Sequence, residues 1–188
     1  MPPAIAADAG AFAAPRLSLE KLRLFMLWSM GFAGAFVFVE PSPYELVSLA
    51  VIMLFAVTGL SLRPALAPLV VLMILLNLGY AMAVAQVGDQ TKPVTWVAVS
   101  VFLAMTAVFY AGMLGTNTEV RLKRLMQGYV AAALIASLIG IAAYFRLFGG
   151  GSGMFLLYDR ARATFNDPNV LGAFLILPGL LLLERVVA

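Results

Sequence analysis

Six stretches of this chain, 22–39, 44–62, 65–87, 94–115, 128–148 and 168–183, are each predominantly apolar and of roughly membrane-crossing length, the last somewhat short. They are separated by brief polar links such as EPSPYE (40–45), GDQTKP (88–93) and TNTEVRLKRLMQ (116–127). A helix needs about twenty apolar residues to cross a hydrocarbon core, and in lipid a helix satisfies its own backbone groups. The pattern therefore predicts an all-α integral membrane protein with about six transmembrane helices. Composition agrees, with 63% hydrophobic and 11% charged residues, against about a quarter charged in soluble domains.

Local signals refine the boundaries. Residues 1–20, rich in Ala and Pro without a signal-peptide core, read as a disordered cytoplasmic tail, and 21–188 as the membrane domain. Pro41 and Pro43 break the chain between the first two helices, and Pro68 sits where a helix start tolerates it. Ala132, Ala136 and Gly140 have the small-xxx-small spacing of a packing face, and Pro178–Gly179 is a kink signal. Asn77, Tyr80 and Tyr110 fall inside spans, where polar groups usually hydrogen-bond between helices.

Charge gives an orientation. With the N-terminus cytoplasmic, eight cations lie inside: Arg16, Lys21, Arg23, Arg63, Arg121, Lys123, Arg124 and Arg185. Four lie outside: Lys92, Arg146, Arg160 and Arg162. The bias follows the positive-inside rule, with Arg121, Lys123 and Arg124 as an anchor against anionic lipids. No Asp, Glu, Lys or Arg falls deep within a span, which speaks against an ion-coupled transporter. Without Cys or His, thiolate chemistry, the usual zinc ligands and the usual general base are missing. No metal, cofactor or nucleic-acid partner is expected.

The outer cations gather around LLYDRARATFNDPNVLGAF (156–174). Asp167 reads as an N-cap with Pro168 in the first helical position, so Asp167, Pro168 and Asn169 mark a helix start facing the outer interface. With Arg162 and Arg160 it forms a candidate anion site, suited to a lipid phosphate or a lipid-linked diphosphate. The glycines at 149, 150, 151 and 153 would let the loop move. The plainer reading is a good cap, with both arginines pairing with Asp159 or with ordinary lipid phosphates. Glu40 and Glu45, at the first outer turn, are candidate bases for an acceptor hydroxyl, although loop carboxylates are usually only solvated.

RATFNDPNVLGAFLILPGLLLL (162–183) resembles the signature of the O-antigen ligase and polymerase family, through Arg162, Phe165, Pro168 and Asn169. It departs where the family often has Gly between the Arg and the aromatic and this chain has Ala163–Thr164. The resemblance implies the front half of a polytopic C-type glycosyltransferase-like fold in the bacterial inner membrane. It implies metal-independent transfer of a glycan from a polyprenyl-diphosphate carrier to a lipid A-core or glycan acceptor, with Arg162 on the diphosphate and Arg160 beside it. Members carry further spans and an outer loop with more arginines and a histidine, so a chain ending at ERVVA is expected to be incomplete. The alternative is a non-catalytic membrane component or exporter in surface polysaccharide assembly.

Overall fold

The computed structural model describes residues 18–39, 42–88 and 91–187. Residues 1–17, most of the expected tail, and Glu40 and Pro41 lie outside the described residues. Among these there are six α-helices: α1 (Leu19–Ala33), α2 (Pro43–Thr58), α3 (Ala67–Val84), α4 (Thr91–Met113), α5 (Thr118–Tyr144) and α6 (Pro168–Val187). A 3-10 turn at Pro64–Leu66 leads into α3, and a longer one at Gly149–Phe155 follows α5. A two-stranded antiparallel hairpin, β1 (Leu156–Leu157) and β2 (Arg160–Ala161), completes the fold.

The chain is a mostly helical, membrane-embedded protein. Four of the described helices are long and apolar enough to cross a membrane: Pro64–Val84, Lys92–Met113, Thr118–Tyr144 and Pro168–Val187. The apolar α2 is shorter. The expected first span, 22–39, is helical only as far as Ala33: α1 starts on its Ser18 cap and has 15 residues. At 1.5 Å per residue that is about 22 Å of helix, short of a hydrocarbon core of about 30 Å.

Beyond Ala33 the backbone is irregular and is held by a distant segment. The Val37 N–H donates to the Thr164 carbonyl at 3.2 Å, and the Thr164 hydroxyl donates to the Ala35 carbonyl. Irregular backbone needs protein partners wherever water does not reach it, and Thr164 supplies them here. Next, α2 begins with a full capping box: Glu45 N–H donates to Ser42 Oγ at 3.3 Å, and Ser42 N–H to Glu45 Oε2 at 2.9 Å. Glu45 is thus a helix cap rather than a free carboxylate.

Backbone proximity between α1 and α5 depends on two glycines. A Cβ at Gly128 would collide with the Trp28 carbonyl oxygen, and one at Gly31 with that of Leu125. Ala132, Ala136 and Gly140 are buried further along the same helix, continuing the small-residue face. Around this crossing lie two apolar cores. One joins Leu27, Met30, Val51, Phe55, Phe109, Met113 and Leu125; the other joins Ala35, Ala132, Ala136, Ala163, Phe165 and Leu171. By contrast α3, apolar on all sides, has no buried residue, as suits a helix bathed in hydrocarbon.

At the end of the bundle where α5 begins, arginines cover the carboxyl ends of helices. Arg23 donates to the Thr58 hydroxyl and carbonyl at the end of α2, and Arg63 to the Gly115 carbonyl after α4. Arg121, only 5% exposed, donates to Met113 O at 3.0 Å, to Thr116 Oγ1 at 2.8 Å and to both Glu20 oxygens. Each cation meets carbonyls that a helix end leaves unpaired and the negative end of its dipole. Arg23 and Arg121 also stand about 5 Å from the Phe55 ring centre. The anchor role expected of Arg121 is corrected, because its charge is spent inside the fold.

Burial opposes ionisation of Glu20, but the hydrogen bond and charge of Arg121, and then Arg23, outweigh it. The Glu20 carboxyl is held below its ordinary pKa.

Candidate functional site

At the opposite end of α5 the chain turns through Gly149–Phe155 into the hairpin. The expected mobile glycine loop is instead a 3-10 turn with Ser152 buried at its centre, 3% exposed. Only Gly149 in that run has a positive φ, 55°. The Ser152 hydroxyl has no partner among the described residues.

In the hairpin, Leu156 pairs with Ala161 and Leu157 with Arg160. Its two central residues, Tyr158 (φ 51°) and Asp159 (φ 58°), are both left-handed, as a two-residue type I′ turn requires. Neither is the Asn-Gly pair that such a turn prefers. Arg146 (φ 54°) and Ala163 (φ 46°) are left-handed too, so four of the five non-glycine residues with this geometry among the described residues fall within 146–163. Backbone in this region costs roughly 1–2 kcal/mol per residue, and such strain gathers where a precise loop shape is needed.

Each candidate residue has a definite place. Pro168 opens α6, and Asp167 Oδ1 accepts the Asn169 N–H at 2.6 Å while its carbonyl accepts from Leu171. The helix start is therefore already occupied by a carboxylate, so positive charge for an anion must come from the arginines. Arg160, exposed, donates from Nη2 to Asn169 Oδ1 at 2.9 Å. Arg162, half-buried, donates from Nε and Nη2 to the Met154 carbonyl at 3.2 and 3.0 Å, leaving Nη1 without a partner among the described residues. Asp159 pairs with neither; its contact is an exposed one with Arg146 at 3.9 Å.

Ala161, between the two arginines, is part of the wall of an apolar cleft of about 330 Å³. The wall also includes Ser137, Gly140 and Tyr144 of α5 and Leu171 and Leu175 of α6. Strand alternation sends the Arg160 side chain away from the face that Ala161 gives to the cleft, and Arg162 follows directly after the strand. Arg160 and Asn169 then bridge the hairpin to the first turn of α6, just above Leu171. The arrangement is amphiphilic, with an apolar groove beside a hairpin that carries Arg160 in its second strand and Arg162 just after it.

Among the polar groups inside the helices, Asn77 departs from expectation. Asn77 Nδ2 donates to Met73 O of its own helix at 2.9 Å rather than across helices. An interhelical bond is made by Tyr129, whose hydroxyl donates to Phe174 O. The signal for it was Pro178, which has no N–H for the carbonyl four residues before it. Comparison with protein-family models, with curated proteins and with solved structures finds no match for this chain.

Proposed function

We propose that this is a multi-pass protein of a bacterial inner membrane that binds a polyprenyl-diphosphate-linked glycan at the outer face. The observation that carries the reading is Ala161 in the wall of the apolar cleft, flanked by Arg160 and Arg162. The isoprenoid lies against α5 and α6, and the diphosphate meets Arg160 first, because that guanidinium is exposed and, among the described residues, bonded only to a neutral amide. Arg162 fixes the hairpin through Met154 O and turns Nη1 to the phosphate. Planar guanidinium forks suit phosphate oxygens and stabilise a departing diphosphate without a metal.

The resemblance carried by Arg162, Phe165, Pro168 and Asn169 makes the reaction class glycan transfer, to a lipid A-core or a growing glycan. Ala163 supports that likeness in one respect: its φ of 46° is the backbone geometry that favours the glycine often found there. Six spans with a cytoplasmic N-terminus complete the proposal, α1 and α2 spanning with the help of the irregular backbone that Thr164 holds. The second reading, in which Arg160 and Arg162 hold the carrier lipid without acting on it, is a non-catalytic component that presents the lipid to a partner.

The test is retention of undecaprenyl diphosphate by the purified protein, followed by native mass spectrometry. Arg160→Ala and Arg162→Ala should each weaken it, with Arg162→Lys a poor substitute. Unchanged retention in both Ala variants would overturn the site. Retention without glycan transfer would select the second reading.

A further inference from the structure

With Arg121 turned inward, its neighbours Lys123 and Arg124 remain exposed on α5, and they enter two different grooves. Arg124 shares one of about 550 Å³ with Lys21, over Leu24, Phe25 and Trp28 of α1. Lys123 shares the other, about 250 Å³, with Arg185 of α6, over Val130, Leu134, Leu181 and Leu182. In both, two cations from different helices top an apolar wall at the same end of the bundle. Glu184, beside Arg185 in sequence, is not among the groove residues.

We propose that the α5–α6 groove binds an anionic phospholipid, its phosphate between Lys123 and Arg185 and an acyl chain along Val130, Leu134 and Leu181. Charge complementarity selects this occupant: a neutral helix would leave two cations desolvated without a partner, whereas a phosphate meets both and its chain matches the wall. Basic pockets between helices at a membrane surface take anionic headgroups in this way. The site is separate from the Arg160–Arg162 hairpin, and its test does not depend on that reading.

The experiment is native mass spectrometry of the full chain exchanged into equal amounts of phosphatidylglycerol and phosphatidylcholine with identical acyl chains. Phosphatidylglycerol should be retained preferentially. Lys123→Gln with Arg185→Gln should weaken its retention about twenty-five-fold, at roughly a factor of five per cation, while Lys92→Gln should leave it unchanged. Ala131→Phe, which narrows the groove, should weaken retention of both lipids without touching the charges.

Equal retention of the two lipids by the wild type would overturn the proposal. So would phosphatidylglycerol binding that survives the double variant. Retention untouched by Ala131→Phe would remove the acyl chain from the groove, and a dimer that displaces lipid would give the groove to a second copy instead.

Discussion

The Tyr129 hydroxyl donates to the Phe174 carbonyl at 2.6 Å, and that carbonyl is the one Pro178 leaves without a helical donor. The Tyr129 ring also packs edge-on against Phe174, 4.6 Å between centroids. A proline in mid-helix removes one i to i−4 bond, and in lipid the orphaned acceptor must find another donor. Tyr129 supplies it from α5, so the defect in α6 becomes a point of attachment between the two helices that line the cleft. Tyr129→Phe should destabilise the protein by about 0.6–1.7 kcal/mol, the range for interhelical bonds in membranes. In a Pro178→Ala background, where the restored backbone N–H donates to Phe174 O, the same change should cost less. Equal losses in both backgrounds, measured by unfolding in mixed detergent, would dissociate Tyr129 from the proline.

The Arg121 knot should be sensitive to both charge and acid. Arg121→Met removes bonds to Met113, Thr116 and Glu20 at once, and should cost about 3 kcal/mol, the low end for breaking a buried pair because Glu20 is partly solvated. Since the Glu20 pKa is lowered in the folded state, its contribution is complete above the ordinary carboxylate value of about 4.3. It is lost as pH falls through the lowered folded value. Thermal melts of wild type and Glu20→Gln should therefore differ at neutral pH and converge in acid. A gap that persists at low pH would mean that the ion pair is not its source.

Close approach of α1 and α5 should tolerate no side chain at Gly128. Gly128→Val must push the Trp28 backbone away and should destabilise by at least about 1–3 kcal/mol, the cost of overpacking. The control is Gly79→Val on α3, where nothing lies within 4 Å of an added Cβ. Comparable melting temperatures for the two variants would refute the tight crossing.

The hairpin tip is strained by its residue choice. Tyr158→Asn with Asp159→Gly supplies the pair that a type I′ turn prefers, and should raise stability by about 1 kcal/mol. Carrier-lipid retention should be preserved, because Arg160 keeps its register opposite Leu157. A loss of stability would show that the exposed Tyr158 ring is used at the interface.

Topology is open to direct labelling because the chain has no cysteine. Ser152 is buried and unsuitable, whereas Gly150 and Thr116 are exposed. Gly150→Cys and Thr116→Cys should react with impermeant reagents from opposite sides of the membrane, Gly150 from outside. Reaction from one side would break both the six-span arrangement and the outer placement of the hairpin.

The helical class and the approximate places of the six helices were legible in the sequence, because long apolar runs leave a backbone in lipid no other solution. So was the start of α6, where Asp167 and Pro168 act within a few residues of each other. These are local matters, set by hydropathy, capping and the missing N–H of proline. Tertiary structure decided the rest, through partners far apart in sequence. Thr164 lies 129 residues from Ala35 and allows α1 to end early; Glu20 lies 101 residues from Arg121 and turns an apparent lipid anchor inward. The shape of the glycine-rich turn was also hidden, since Ser152 is buried by packing rather than by any local propensity. Hydrophobicity is additive along a chain and can be read from it, whereas the pairing of one buried polar group with another depends on which distant segments fold together.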